Sequence, residues 1–151
     1  MDLLSFLGHA LARYLSKPGR SYAPAATSDP ARLAAAIRPG DVLLVEGDTR
    51  VSTAIKYLTQ STWSHAALHV GNAHNKPGED PPVLLEADII EGVRIVPLGR
   101  YAAMHTRICR PFGLTPEDLE QVIQAAVSRL GQKYDLKNVT DLARYLLPIL
   151  P

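Results

Sequence analysis

The segment from Ser64 to Gly71 is the sequence feature that most constrains how this chain folds. It reads Ser-His-Ala-Ala-Leu-His-Val-Gly and predicts a β-strand, whose side chains alternate between two faces. His65, Ala67 and His69 share one face, and small or apolar residues occupy the other. A later predicted strand carries Glu86. A histidine that opens one strand and a carboxylate on another supply two of the three groups of a nucleophilic triad.

The remaining elements are predicted from apolar periodicity and from turn and cap residues. Further strands are predicted at 41–46, 83–87, 93–97 and 104–110, and helices at 31–37, 52–60, 116–129 and 138–147. The apolar run of 41–46 predicts burial on both faces, and Val51, Ile55 and Leu58 are predicted to share one side of their helix. Glu91-Gly92 predicts a tight hairpin, and residues 72–81 an exposed loop. Helices, then a mostly antiparallel meander, then helices indicate an α+β fold.

The N-terminal part is predicted to lie outside the main domain. Residues 2–16 have the apolar spacing of an amphipathic helix, and residues 17–28, rich in Pro, Gly, Ser and Ala, read as a linker. Asp29-Pro30 has the order of a helix cap followed by a first-turn proline, so the main domain is placed at 29–151. The amphipathic helix is expected to cover its own domain or a partner, with peripheral membrane contact as the alternative.

Charge and cysteine content narrow the functional classes. The 16 basic and 15 acidic residues leave a net charge of +1, and this balance does not indicate a nucleic-acid-binding protein. A single cysteine excludes an internal disulfide framework. No apolar run reaches the ~18 residues of a transmembrane helix, and Asp2 occupies the place of a cationic signal region. The expected location is cytoplasmic or peripheral to a membrane.

A metal site is the alternative interpretation of the same polar residues. His65 and His69 share a strand face, and Glu86 and Asp88 share another. Two histidines four residues apart on a strand are separated by roughly 13 Å, which is too far for both rings to bind one ion. We therefore expect neither a metal nor another cofactor.

Four short motifs, in this order and spacing, resemble the circularly permuted papain-like cysteine hydrolases of the NlpC superfamily. They are Pro39-Gly40-Asp41, Ser64-His65, Leu85-Glu86-Ala87 and Gly131-Gln132-Lys133-Tyr134-Asp135, and the resemblance spans about residues 38–136. It implies a papain-like α+β fold with a small antiparallel barrel-like sheet flanked by helices. It also implies that His65 is the base, that Glu86 orients it, and that an amidase or peptidase reaction passes through an acyl-thioester.

The chain departs from this family at the nucleophile. The resemblance implies a cysteine that opens a helix after Tyr134-Asp135, but no cysteine follows Asp135. Cys109 lies inside a predicted strand, well before the expected position, where a structural role is expected. We therefore expect a C-terminal truncation rather than a complete inactive relative, and we expect this polypeptide alone to be inactive in acyl transfer.

Two aromatic residues are candidates for a substrate groove. Trp63 precedes the His65 strand, and Tyr134 lies in the last motif; packing is the alternative role of each. The expected substrates are a peptide, another amide or an acyl-lipid. The alternatives to an amidase are a lipid acyltransferase or thioesterase-like enzyme and a catalytically inactive binding domain that uses the same groove.

Overall fold

Five strands form one antiparallel sheet in this protein. The computed structural model describes residues 13–18, 29–71 and 83–133. The strands are β1 (Val42–Val45), β2 (His65–His69), β3 (Val83–Asp88), β4 (Gly92–Pro97) and β5 (Thr106–Cys109). The helices are α1 (Pro30–Ala36), α2 (Arg50–Thr59), a 3₁₀ helix (Leu98–Tyr101) and α3 (Pro116–Val127). The predicted α+β class, with an antiparallel sheet flanked by helices, is confirmed, whereas the 3₁₀ helix was not predicted.

The strand order is β4-β3-β2-β1-β5, so the first four strands follow one another and β5 returns to the side of β1. In the register, Val45 is opposite His65 and Ala67 is opposite Glu86. Because directly paired residues project to the same side of an antiparallel sheet, His65, Ala67 and Glu86 share one face. We call it the site face.

The two faces of the sheet are covered unequally. On the site face a buried core joins the sheet to α1 and to the 3₁₀ helix through Leu33, Ile37, Leu43, Val45, Ala67, Leu84, Val96, Leu98 and Tyr101. On the opposite face α3 packs through Ile123, with Leu119 and Val127 half-buried. The predicted burial of β1 on both faces is therefore wrong. Leu43 and Val45 are fully buried but Val42 and Leu44, on the opposite face, are only half-buried.

Side-chain caps explain where the helices begin. Asp29 accepts a hydrogen bond from the Ala31 amide at 2.9 Å, which confirms the predicted start of α1. Thr115 and Asp118 form a reciprocal capping box at α3. Helix α2 begins at Arg50, two residues earlier than predicted, because Thr49 caps it.

The buried side of α2 differs from the predicted apolar side. Its buried residues are Val51, Ser52 and Ala54, and Ile55 is half-buried. Leu58, which was predicted to share one side of the helix with Val51 and Ile55, is 39% exposed. Apolar spacing alone did not identify the buried side of the helix, because two of its three buried residues are a small serine and an alanine.

The hairpin between β3 and β4 turns through residues 89–91. Asp88 Oδ1 accepts hydrogen bonds from the amides of Ile90 and Glu91, at 2.8 and 2.9 Å. Gly92 then adopts a left-handed φ of +81°, which a glycine adopts without a steric cost. The neighbouring Val93 exchanges backbone hydrogen bonds with the turn after α3, through the Gln132 carbonyl and the Gly131 amide. The hairpin therefore fixes the end of α3 against β4.

Several predictions fall partly or wholly outside the described residues. Residues 13–15 are helical, and the Arg50 guanidinium lies 4.0 Å from the ring centre of Tyr14. The rest of the predicted helix 2–16, most of the linker, the loop 72–81 and the helix 138–147 lie outside those residues. None of the described helices is long and apolar enough to cross a membrane.

Candidate active site

His65 and Glu86 form a hydrogen-bonded pair on the site face. His65 opens β2, and Glu86 lies near the end of β3, diagonally across the strand pair. The Nε2 atom of His65 is 2.8 Å from Glu86 Oε2. The Glu86 side chain is only 2% exposed, whereas that of His65 is 28% exposed. The pair predicted from the sequence is thus formed, with the carboxylate behind the ring and the ring toward solvent.

Two further residues hold the Glu86 carboxylate. Arg94 is its direct cross-strand neighbour on β4 and donates to Oε1 from Nε at 2.9 Å. The Tyr101 hydroxyl, on the 3₁₀ helix, donates to Oε2, the same oxygen that contacts His65. Sequence reasoning missed both residues. The hairpin register could have indicated Arg94, but no pattern in the sequence indicates a short 3₁₀ helix.

These donors determine the charge of Glu86. Burial alone would raise its pKa, but the hydrogen bonds from His65, Tyr101 and Arg94 outweigh that effect and lower the pKa of Glu86 to about 2. Burial and the contact with Glu86 raise the pKa of Tyr101, so its hydroxyl stays protonated and keeps donating. Glu86 is therefore a fixed anion at neutral pH.

A fixed carboxylate also determines the tautomer of His65. An ionised carboxylate only accepts hydrogen bonds, so the Nε2 of His65 must carry the proton in the Glu86 contact. In the neutral ring the other nitrogen, Nδ1, then has the lone pair. No hydrogen bond to this Nδ1 is formed within the described residues. A ring held in this way from behind has a basic nitrogen available to a reacting group.

His65 lines a cleft of about 580 Å³. One wall is the start of α2 and the turn before it, with Asp48, Thr49 and Ser52; the other comprises the 89–91 turn and Arg100. The volume is within the range of small-molecule sites. The cleft thus brings His65 together with polar groups from two separate parts of the chain.

Of the two other groove candidates, only Trp63 lies in the described residues, and it does not line the cleft. The Trp63 ring is 4.9 Å from that of His105 and is not part of the cleft wall. His105 in turn contacts Glu46 through Nδ1 at 2.9 Å, in a second histidine–glutamate pair whose residues do not line the cleft. Tyr134 lies outside the described residues. A groove role for Trp63 and Tyr134 stays a prediction.

Cys109 is on the wrong side of the sheet to serve His65. It is paired with Val42, which is paired with Leu68 on β2. Leu68 is three residues from His65 and therefore projects to the opposite face. Cys109 is half-buried there. The sheet thus separates its thiol from the imidazole.

His69, the second histidine of β2, is 3% exposed and does not reach the cleft. Its Nδ1 accepts a hydrogen bond from the Gly71 amide at 3.2 Å, and burial lowers the pKa of its ring. Among the described residues no three histidine, cysteine, aspartate or glutamate side chains are grouped as metal ligands. His69 is thus a packed residue of the sheet.

Comparison with known proteins agrees with this geometry. Residues 36–145 match the family model described as "Permuted papain-like amidase enzyme, YaeF/YiiX, C92 family". The matched range includes both members of the His65–Glu86 pair. A search of curated proteins found no match to the chain.

Proposed function

Since the chain belongs to the C92 family of permuted papain-like amidases, we propose that it provides the base and the orienting group of a cysteine amidase or peptidase. The observation that carries this proposal is the 2.8 Å contact between His65 Nε2 and Glu86 Oε2, with Nδ1 unbonded in the described residues. In this role, His65 exchanges protons with the thiol and with the leaving group, and Glu86 orients the ring. The proposed substrate is a peptide or another small amide.

The proposed reaction has two halves. His65 Nδ1 takes the proton of a cysteine thiol, and the thiolate attacks the amide carbon. The imidazolium then gives its proton to the leaving nitrogen, the carbon–nitrogen bond breaks, and an acyl-thioester remains. In the second half His65 takes a proton from water, hydroxide attacks the thioester, and the thiol leaves with that proton. The Glu86 anion stabilises the imidazolium in both halves.

The thiol is the group that these residues do not supply. Cys109 is the sole cysteine of the 151 residues, and the sheet lies between it and His65. In this proposal the nucleophile is therefore a cysteine outside these 151 residues. It has to approach His65 Nδ1 from the cleft.

The absence of a thiol on the His65 side of the sheet in these 151 residues favours a second candidate, a binding domain without turnover. Such a domain would use the cleft and the charged groups around it and would need no thiol. The two candidates differ in one respect: only the hydrolase requires a cysteine whose thiol reacts faster when His65 is present.

The gene product translated from the whole coding sequence is expected to hydrolyse peptide p-nitroanilides, and His65→Ala is expected to lower kcat/KM by at least about 10²-fold. His105→Ala is the matched control, because His105 also pairs with a glutamate but does not line the cleft. It is expected to retain activity within a few-fold. Circular dichroism checks that both variants fold.

Equal activity of the His65→Ala variant and the wild type would refute His65 as the base. A folded gene product that binds an N-acetylated peptide amide, shows no turnover and has no cysteine besides Cys109 would establish the binding domain instead. Alkylation by iodoacetamide followed by mass spectrometry identifies any reactive cysteine and shows whether its rate falls in His65→Ala.

A further inference from the structure

Arg100 is a cleft cation with hydrogen-bonding capacity to spare: within the described residues it interacts with the Tyr101 hydroxyl but with no carboxylate at hydrogen-bonding distance. Its side chain is 50% exposed and lines the cleft. Its one ion pair with a described residue is a long contact of 3.9 Å from Nε to Glu86 Oε1, which is beyond hydrogen-bonding distance. The other cleft arginine is bound differently. Arg94 contacts Glu86, Asp88 and Glu91 at once and is only 18% exposed.

Glu86 has no room for a closer contact with Arg100. Each carboxylate oxygen accepts about two hydrogen bonds. Oε2 already receives His65 and Tyr101, and Oε1 is approached by both Nε and Nη2 of Arg94, at 2.9 and 2.8 Å. The Glu86 charge therefore attracts Arg100 toward the site but forms no short hydrogen bond with it. The Arg100 guanidinium can still donate to a second partner in the cleft.

We propose that Arg100 binds a carboxylate of the substrate, next to the bond that His65 acts on. A guanidinium binds carboxylates through two parallel N–H donors. His65 and Arg100 both lie next to the Glu86 carboxylate. A substrate group bound to Arg100 is therefore within one or two residues of the bond that reacts, counted along the substrate. This inference rests on the proposed amidase and names its substrate class, an amide with a nearby carboxylate.

The other charges of the cleft favour a carboxylate over a phosphate. Asp48, Asp88 and Glu91 also line it, and they repel anions. A carboxylate carries one negative charge, whereas a phosphate ester carries close to two at neutral pH. Repulsion from these acids therefore penalises a phosphate more than a carboxylate.

Binding to the 151-residue chain tests this proposal without any turnover. N-acetylglycine is titrated into the protein at low salt, and the chemical shifts of His65 and of the Arg100 side chain are followed by NMR. N-acetylglycinamide is the neutral probe and phenyl phosphate the doubly charged one. N-acetylglycine is expected to bind at least about tenfold more tightly than either of them.

The variant Arg100→Gln is expected to weaken N-acetylglycine binding at least about tenfold. Arg107→Gln is the matched control, since it removes the same charge from an exposed position on the opposite sheet face; it is expected to bind as the wild type does. Unchanged binding in a folded Arg100→Gln variant, or equal binding of the amide, would overturn the proposal. Tighter binding of phenyl phosphate would overturn the choice of carboxylate. Because no hydrolysis is measured, these outcomes are independent of whether the chain is part of a hydrolase.

Discussion

Glu86→Gln is expected to lower the free energy of unfolding at neutral pH by about 3 kcal/mol, as expected when one member of a buried ion pair is removed. Glutamine keeps the size of the side chain but loses the charge that holds Arg94. The glutamine NH₂ is also a donor, and it would face the donors of His65, Tyr101 or Arg94 instead of accepting a hydrogen bond from them. Urea denaturation followed by circular dichroism measures the loss.

Asp88→Asn is the control for this change. Asp88 also pairs with Arg94, at 3.1 Å, but its side chain is 29% exposed. Asparagine keeps the oxygen that accepts from the turn amides of Ile90 and Glu91. The Asp88→Asn variant should lose less than about 1 kcal/mol of unfolding free energy, as for other ion pairs near the surface. Equal losses in the two variants would show that burial of Glu86 does not matter.

The pH dependence of stability gives the same effect an independent signature. The pKa of Glu86 is lowered in the folded state from 4.5 to about 2. Its contribution, about 3 kcal/mol, is therefore fully present above the unfolded pKa and is lost as pH falls toward the folded pKa. The wild type should lose this stability between about pH 5 and pH 2, and Glu86→Gln should not. Parallel pH curves for the two proteins would contradict the lowered pKa.

Gly92→Ala is expected to destabilise the protein by about 3 kcal/mol. An alanine at φ +81° costs about 1 kcal/mol. Its Cβ would also clash with the backbone carbonyl of Gln132, which accepts a hydrogen bond from Val93 at 2.9 Å. The carbonyl cannot retreat without weakening that bond, so the clash adds about 2 kcal/mol, as in other overpacked sites.

Gly113→Ala separates the two parts of this cost. Gly113 has a similar φ of +76°, but no atom lies within 4 Å of a Cβ added there. The Gly113→Ala variant should lose only about 1 kcal/mol of unfolding free energy, the part that comes from the left-handed backbone conformation. Thermal and urea unfolding of both variants measure the difference. Equal losses would show that the turn after α3 does not press on the hairpin.

The sequence predicted the parts of this fold that depend on local rules. Alternation in Ser64–Gly71 placed His65 and Ala67 on one face, and the strand that carries Glu86 was found from its own apolar pattern. Cap residues located the starts of α1 and α3 because an Asp or Thr followed by proline has one strong local meaning. The pairing of His65 with Glu86 was implied by the family resemblance, and the structure forms the contact.

What could not be predicted depends on contacts between distant segments. Tyr101 reaches Glu86 from a 3₁₀ helix of four residues, which is too short to leave a periodic signal. The separation of Cys109 from His65 required the registers of three strands, since one shift of register would move a side chain to the other face. Trp63 precedes the His65 strand, yet its ring lies against His105, because the chain direction at a strand end does not fix where a large ring packs.

The tautomer of His65 provides the most direct test of the proposed base. Long-range ¹H–¹⁵N correlation of the 151-residue chain, with the ring neutral, reports which ring nitrogen carries the proton, and the His65→Ala spectrum identifies its signals among the five histidines. The contact with Glu86 predicts a protonated Nε2 and an unprotonated Nδ1. A proton on Nδ1 and a bare Nε2 would contradict it, because the ring would then have no lone pair to offer the cleft.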